Sequence, residues 1–450
     1  MVKALFTNGN KIILRAVAAV LAVILTVAAF AFSGCGLMTA SNTERWVIKT
    51  IKDNYYYYDE MDKDGLEDLS VSEIVKRLDI YSEYYTPEEL LALVKDNSGE
   101  KAGVGISYIY VEEGKCSIYP EGGCLLVMVV GNSPAEKAGL KKGQLLVGGS
   151  YNGQTVRFDT QNAIADFIDP IAEGASFTLT ASTGESYTVS KQNYNASYMF
   201  MATNASAWTA TFNGQGEVNG IAEVQDSETR AIEYLPDGAA YVSMSQFYGQ
   251  AADEFGYMVK EFTNQHCTSL ILDLRDNGGG YVDVMLDMAG YFAPSSKLAM
   301  TARDRNGKET KSYSVNHGNN LLPDGTTVYV LANSGTASAS EALIGFLISY
   351  GVLDYGNIFL SDYSEEFLSW AGEDYKTAQS YGKGIMQTTF TNWLTHEALK
   401  LTTAKIVWPN GKCIHGEGVT EAAGCRTVEA EWLVTPSDTE LQRIIEMINE

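Results

Sequence analysis

The chain has 450 residues, 45% of them hydrophobic, which is enough for more than one packed core and suggests about three domains. A formal charge of −24 and a pI near 4.6 exclude phosphate-backbone recognition, because that needs clustered Lys and Arg; nucleic acid is therefore not an expected partner. With only four histidines, none in a catalytic-looking context, a histidine-based triad has few candidates.

The first residues read as a targeting segment. Lys3, Lys11 and Arg15 precede an uncharged apolar run from Ala16 to Phe32, followed by Ser33-Gly34-Cys35. Residues 1–35 resemble a bacterial lipoprotein signal, in which Cys35 would be lipidated and become the first mature residue. An uncleaved anchor and a plain secretory signal are the alternatives. All three place the protein outside the cytoplasm, and the first makes it a membrane-anchored, cell-envelope protein. Export permits disulfides, and Cys116 with Cys124 and Cys413 with Cys425 are close in sequence, though spacing alone does not fix pairing.

Residues 36–98 carry apolar positions at helical spacing over Thr43–Tyr58, Ser70–Leu78 and Pro87–Lys95. Thr86 as cap and Pro87 at the first helical position mark the third start. The aromatic stretch Leu78–Tyr85 between helices is expected to pack on a neighbouring domain. From Gly99 the pattern alternates: strands at Ser107–Val111 and Cys124–Val130, a short capped helix in Asn132–Leu140, a helix near Thr160–Ile168, and strands near Ser176–Ala181 and Glu185–Ser190. This order, with SPAEKAGLKKGQLL at its centre, resembles a PDZ domain over 99–192. The resemblance implies a module that adds an extended peptide as a strand and holds its free C-terminal carboxylate on the amides of Gly103, Val104, Gly105 and Ile106.

Residues 193–450 begin with irregular strands and then alternate strand and helix: Gly238–Met244, Gln250–Asn264, Ser269–Leu274, Tyr281–Phe292. That order predicts an α/β core with a mostly parallel sheet. Arg275-Asp276-Asn277-Gly278-Gly279-Gly280 is a glycine loop between strand and helix, able to present amides to an anion. Its glycine spacing fits neither a dinucleotide fingerprint nor a P-loop. A carboxylate metal site at Asp273, Asp276 and Asp283 has no regular loop spacing, and Cys413, His415 and Cys425 lack paired zinc spacing, so no metal and no cofactor are expected.

The strand Thr327–Leu331 points its carboxyl end at Asn333-Ser334-Gly335-Thr336, and a helix starts at Ser338. Ser338 and Glu341 form a capping-box pattern. The same geometry would leave the Ala339 amide free to hold an oxyanion. Further on, Lys383 lies between glycines in Tyr381–Gln387; in a strand Lys383, Ile385 and Gln387 would share one face.

Five segments taken together resemble the C-terminal processing (tail-specific) serine peptidase family: Leu78–Leu90, the PDZ-like stretch, Ser269–Gly280, Asn333–Leu343 and Tyr381–Gln387. Trp408–Val419 agrees with the family's closing loop. The resemblance implies a ClpP/crotonase-like core, Ser338 as nucleophile, Lys383 as general base and Gln387 as the residue that positions the lysine. Ala339 and Gly279 would supply the oxyanion amides. It further implies a serine endopeptidase acting on proteins with free C-termini through an acyl-enzyme. Residues 361–380, acidic and aromatic, depart from the family's pattern and read as an insertion near the site. A non-catalytic lipoprotein that only binds peptide tails is the alternative from another class. A Ser-His hydrolase is a third.

Overall fold

The computed structural model describes residues 40–224, 232–293, 296–315, 321–371, 375–430 and 438–450. The targeting segment and Cys35 lie outside them.

The first segment is helical: α1 (Ala40–Asn54), the short α2 (Val71–Val75) and α3 (Pro87–Asn97) flank a strand β1 (Glu83–Tyr85). It is not a separate unit. β1 pairs antiparallel with a core strand, Tyr84 opposite Leu399, and Val47, Ile51 and Tyr55 share an apolar cluster with Leu399 and Leu401.

The next module contains β2 (Glu100–Gly103), β3 (Ile106–Val111), β4 (Gly123–Val129), α4 (Pro134–Lys137), β5 (Leu145–Tyr151), β6 (Gln154–Arg157), α5 (Ala163–Ile168), β7 (Ser176–Ala181), β8 (Ser186–Ser190) and β9 (Gln192–Asn195). Six of these strands form a sheet in the order β3-β4-β5-β7-β8 with β6 on β5, so β3 is an edge strand. Ser133 caps α4 by accepting the Glu136 amide, and Pro134 follows at the first helical position. The close cysteines do not bond. Cys124 faces the inner cluster with Leu126 and Phe177, whereas Cys116 joins Val111 and Leu125 on the opposite face, and all five described cysteines are free thiols.

The core follows: β10 (Met199–Ala202), β11 (Ala207–Phe212), β12 (Val218–Glu223), β13 (Ala239–Met244), α6 (Ala251–Asn264), β14 (Ser269–Asp273), α7 (Val282–Ala289), β15 (Leu298–Arg303), β16 (Glu309–Ser314), β17 (Thr327–Ala332), α8 (Ala339–Ser349), β18 (Ile358–Tyr363), α9 (Glu365–Ala371), β19 (Ile385–Thr391), β20 (Ala398–Val407), β21 (Arg426–Ala430) and α10 (Thr439–Asn449). The main sheet runs β12-β11-β10-β13-β14-β17-β18-β21. Only β13 to β21 are parallel; β12 to β10 return antiparallel, so the expected mostly parallel sheet is mixed. Successive side chains alternate between two cores, as a sheet covered on both faces requires. Leu270 and Leu272 pack with α6, α7 and α8, while Ile271 packs with Leu441 and Ile444 of α10. A second sheet, β1-β20-β15-β16 with β19 on β20, lies beside it.

Of the stretch read as an insertion, 361–363 belongs to β18 and only the following residues depart from the core. They form α9, whose Phe367 is fully buried with Tyr363, Val111, Tyr119 and Leu125. This segment packs the outer face of the module onto the core instead of hanging over the site.

Candidate functional site

Both loops of interest leave carboxyl ends of adjacent parallel strands, where the sheet exposes backbone amides and side chains to a crevice. Loop 333–337, after β17, is stitched to the glycine loop after β14. The Asn333 side chain accepts the Asp276 and Gly335 amides at 2.9 Å each and donates to Asp276 Oδ1 at 2.7 Å. Thr336 Oγ1 donates to the Leu274 carbonyl at 2.8 Å, and the Ala337 amide donates to the Asn277 carbonyl at 3.0 Å.

Ser338 sits at φ 59°, ψ −113°, a conformation that costs a non-glycine residue about 1–3 kcal/mol and is kept only where surroundings enforce it. The expected capping box is made by its main-chain arm, the Ser338 amide donating to Glu341 Oε2 at 3.0 Å. The hydroxyl occupies the box position but makes no side-chain cap hydrogen bond. Half-buried Ser338 therefore caps the helix and lines the crevice at once.

Gly279 lies against this turn. A Cβ at Gly279, whose φ is +96°, would fall 2.8 Å from Ser338 Cβ and 2.8 Å from the Ala339 nitrogen, so only glycine allows the loops to approach. Its amide, however, donates to Asn277 Oδ1 at 2.9 Å. The side chain two residues back has claimed the donor expected for the oxyanion. Gly278 and Gly280, not Gly279, line the crevice beside Ser338 and Ala339.

Lys383 and Gln387 reach the same crevice, a cavity of about 290 Å³ lined also by Met285, Met300 and Trp408. They do not get there by strand alternation. Lys383 precedes β19, and the register shifts between Met386 and Gln387. Gln387 Nε2 donates to Thr402 Oγ1 at 3.1 Å and not to the lysine. Lys383 Nζ lies over the Tyr81 ring, 4.4 Å from its centroid. Among the described residues no hydrogen bond joins the Lys383 ammonium to the Ser338 hydroxyl, so the two share a crevice without being joined. Burial draws Lys383 below its ordinary value and the Lys400 charge adds to that; Asp79, Glu341 and Glu83 oppose it.

Glu341 is the residue whose further task the cap pattern hid. Its buried carboxylate accepts four hydrogen bonds: Ser380 Oγ at 2.5 Å, the Gly382 amide at 2.8 Å, the Lys383 amide at 2.9 Å and the Ser338 amide. Burial pushes its protonation upward, and these donors oppose that. One side chain thus fixes the backbone of both suspected reactive residues. Asn277 and Asn333 were also missed, although polar residues at the carboxyl ends of parallel strands are a usable signal.

Other candidate residues are not brought to this crevice. Gly103–Ile106 lies in the separate module, where Gly105 is pressed against Ser133. Asp273 pairs with Arg275 at 2.6 Å and Asp276 with Lys142 at 2.8 Å, so these carboxylates serve as counter-ions.

Comparison with known proteins agrees with this arrangement. Residues 238–353 match peptidase family S41. The chain is 23% identical over 408 residues to a "Probable CtpA-like serine protease" of Staphylococcus aureus strain COL, covering 88% of this chain and 68% of that protein. A Staphylococcus saprophyticus protein of the same description is 24% identical over 379 residues, covering 83% and 63%. The fold is shared with the crystal structure of a Bacteroides fragilis protein assigned to the S41 proteases, at 14% identity, TM-score 0.57, and coverage of 90% and 97%. The matched segment encloses the glycine loop and Ser338, the two loops that the asparagines stitch together, and it is this part of the chain that is similar to peptidase family S41.

Proposed function

We propose that the chain is an exported serine endopeptidase that cleaves proteins through a Ser338–Lys383 dyad and an acyl-enzyme. One observation carries this reading: Ser338 is held in a strained turn at a helix start, in the same crevice as a lysine whose burial favours its neutral form. A serine hydroxyl is a weak nucleophile until a base removes its proton, and a desolvated lysine can do so. Lys383 reaches Ser338 from its place over the Tyr81 ring when substrate enters. Gln387, anchored on Thr402, lines the wall along which the lysine swings. The Ala339 amide meets the oxyanion together with an amide of Gly278–Gly280. Gly279 serves only once Asn277 releases it, and Gly278 or Gly280 is the nearer donor. Each such donor contributes about 3 kcal/mol to the transition state.

The β-rich module reads as the PDZ domain that the sequence resembles. β3 is an edge strand that begins at Ile106, the last residue of Gly103–Ile106, which is the arrangement strand addition by a C-terminal tail needs. Cys35 is the lipidation site that would tether the protein to the membrane. The test is labelling of the full chain with an active-site serine probe and cleavage of an unstructured peptide with an apolar free C-terminus. Both should be lost in Ser338→Ala and in Lys383→Ala. Tail binding without labelling or turnover would instead favour a non-catalytic binding protein, a reading supported by the unjoined Ser338 and Lys383. Activity that survives Lys383→Ala would point to another base.

A further inference from the structure

The aromatic stretch Leu78–Tyr85 is expected from its sequence to be packing. It carries two features that packing does not explain. Both carboxylate oxygens of Asp79 are buried without a hydrogen-bond partner among the described residues, and so is Nδ1 of His415, whose Nε2 meets the Tyr57 hydroxyl at 2.9 Å. An uncompensated buried carboxylate costs several kcal/mol, so its presence calls for a compensating charge. Two residues on, the Tyr81 ring is the surface on which Lys383 Nζ rests.

The segment is fixed from both sides. The Asp79 amide donates to the Tyr55 hydroxyl at 2.7 Å, the Thr402 amide donates to Ser82 Oγ at 3.2 Å, and Glu83 pairs with Lys400 across β1 and β20. The Tyr81 hydroxyl is 2.7 Å from the Tyr381 hydroxyl, and the Tyr381 amide donates to the Thr336 carbonyl in the serine loop. The charged and titratable groups facing Lys383 are Asp79 and Tyr81 from this segment, Glu83 with Lys400 from the β1–β20 pair, Glu341 from α8, and Tyr381, over which Lys376 lies. His415, with Lys405 near it, backs the turn at Gly384. Glu83 is neutralised by Lys400, and Glu341 is occupied by four donors. Asp79 is the carboxylate in this set with no hydrogen-bond partner.

We propose that Asp79 and the face of Tyr81 are positioning groups for the base, receiving the positive charge of Lys383 each time the lysine takes the serine proton. The inference rests on the Ser338–Lys383 reading above. In acylation, the Ser338 Oγ–H proton passes to neutral Nζ as the Oγ–carbon bond forms and the carbonyl π pair moves onto oxygen. The ammonium then hands that proton to the leaving nitrogen as the carbon–nitrogen bond breaks. Between these events a full charge stands in a low-dielectric crevice. An aromatic face stabilises it through the negative face of the ring quadrupole. A nearby buried anion stabilises it further, because little water screens the pair.

The experiment is the rate of serine-probe labelling of the full chain as a function of pH. In the wild type the rate climbs as Lys383 loses its proton. Asp79→Asn removes the anion that favours the ammonium, so the climb should move to lower pH by about half a unit or more, and the plateau should fall by about tenfold because the base is weaker. Tyr81→Leu should move the climb in the same direction, whereas Tyr81→Phe, which keeps the ring, should leave its position unchanged. Should Asp79→Asn fail to fold, the Tyr81 pair decides the matter. A lowered plateau with an unmoved climb in Asp79→Asn and Tyr81→Leu would make the segment merely structural and overturn the inference. Labelling that keeps the wild-type profile in Lys383→Ala would overturn the base assignment and this inference with it. Loss of labelling in Lys383→Ala with unmoved climbs in the other variants would overturn this inference alone.

Discussion

Glu341 shows how one buried charge can organise a site without touching substrate. Its Oε1 takes Ser380 Oγ and the Gly382 amide, and its Oε2 takes the Ser338 and Lys383 amides. A glutamine of the same shape keeps one acceptor and turns an NH₂ group toward two donors. Hydrogen bonds to a charged group are each worth about 1.5–3 kcal/mol, so Glu341→Gln should destabilise the protein by about 3 kcal/mol or more in urea unfolding. Because the backbone of both proposed reactive residues hangs from this carboxylate, kcat for peptide cleavage should drop by about 100-fold, while KM changes far less. Equal loss in both constants would show that Glu341 supports binding and not alignment.

At the scale of elements, α9 is the piece that the family resemblance did not foresee. It carries Phe367 into a pocket made by Val111, Tyr119, Leu125 and Leu145 of the β-rich module, and Glu366 accepts the Ser117 amide at 3.2 Å. The helix thus joins module to core through apolar area, the most dependable source of such adhesion. Phe367→Ala should cost about 3–5 kcal/mol in unfolding, as truncating a fully buried phenylalanine does. Hydrogen exchange should rise first at the β3–β4 amides facing this pocket. Uniform loosening of the whole core instead would show that α9 serves the core and not the contact.

Over the whole molecule, the formal charge of −24 sets up self-repulsion that opposes compaction. Screening it should raise the melting temperature as salt goes from about 10 to about 200 mM, where the Debye length falls from about 30 Å to under 10 Å. A melting temperature that falls with salt would mean that local ion pairs, such as Arg275 with Asp273, Asp438 and Glu440, outweigh the net repulsion. Arg275 opens the glycine loop, so the same titration followed by serine labelling reports on the site as well as the fold.

The sequence by itself determined most of the elements and the set of candidate residues. Continuous apolar runs specified β13, β14 and β17, cap and proline signals specified α3 and α4, and the motifs around Gly279, Ser338 and Lys383 carried the family resemblance. These are local properties, set by side-chain periodicity and backbone preference over a few residues. Tertiary structure decided what depends on groups far apart in the chain. Only the fold could show that Asn277 engages the Gly279 amide, that a bulge and not alternation brings Gln387 to the crevice, that Cys116 and Cys124 face opposite sides of a sheet, and that Lys383 rests on Tyr81. The reason is physical: a hydrogen bond, a cation over a ring and the cost of an unpaired carboxylate are set by distance in space and by the dielectric around them, and neither can be read from order along the chain.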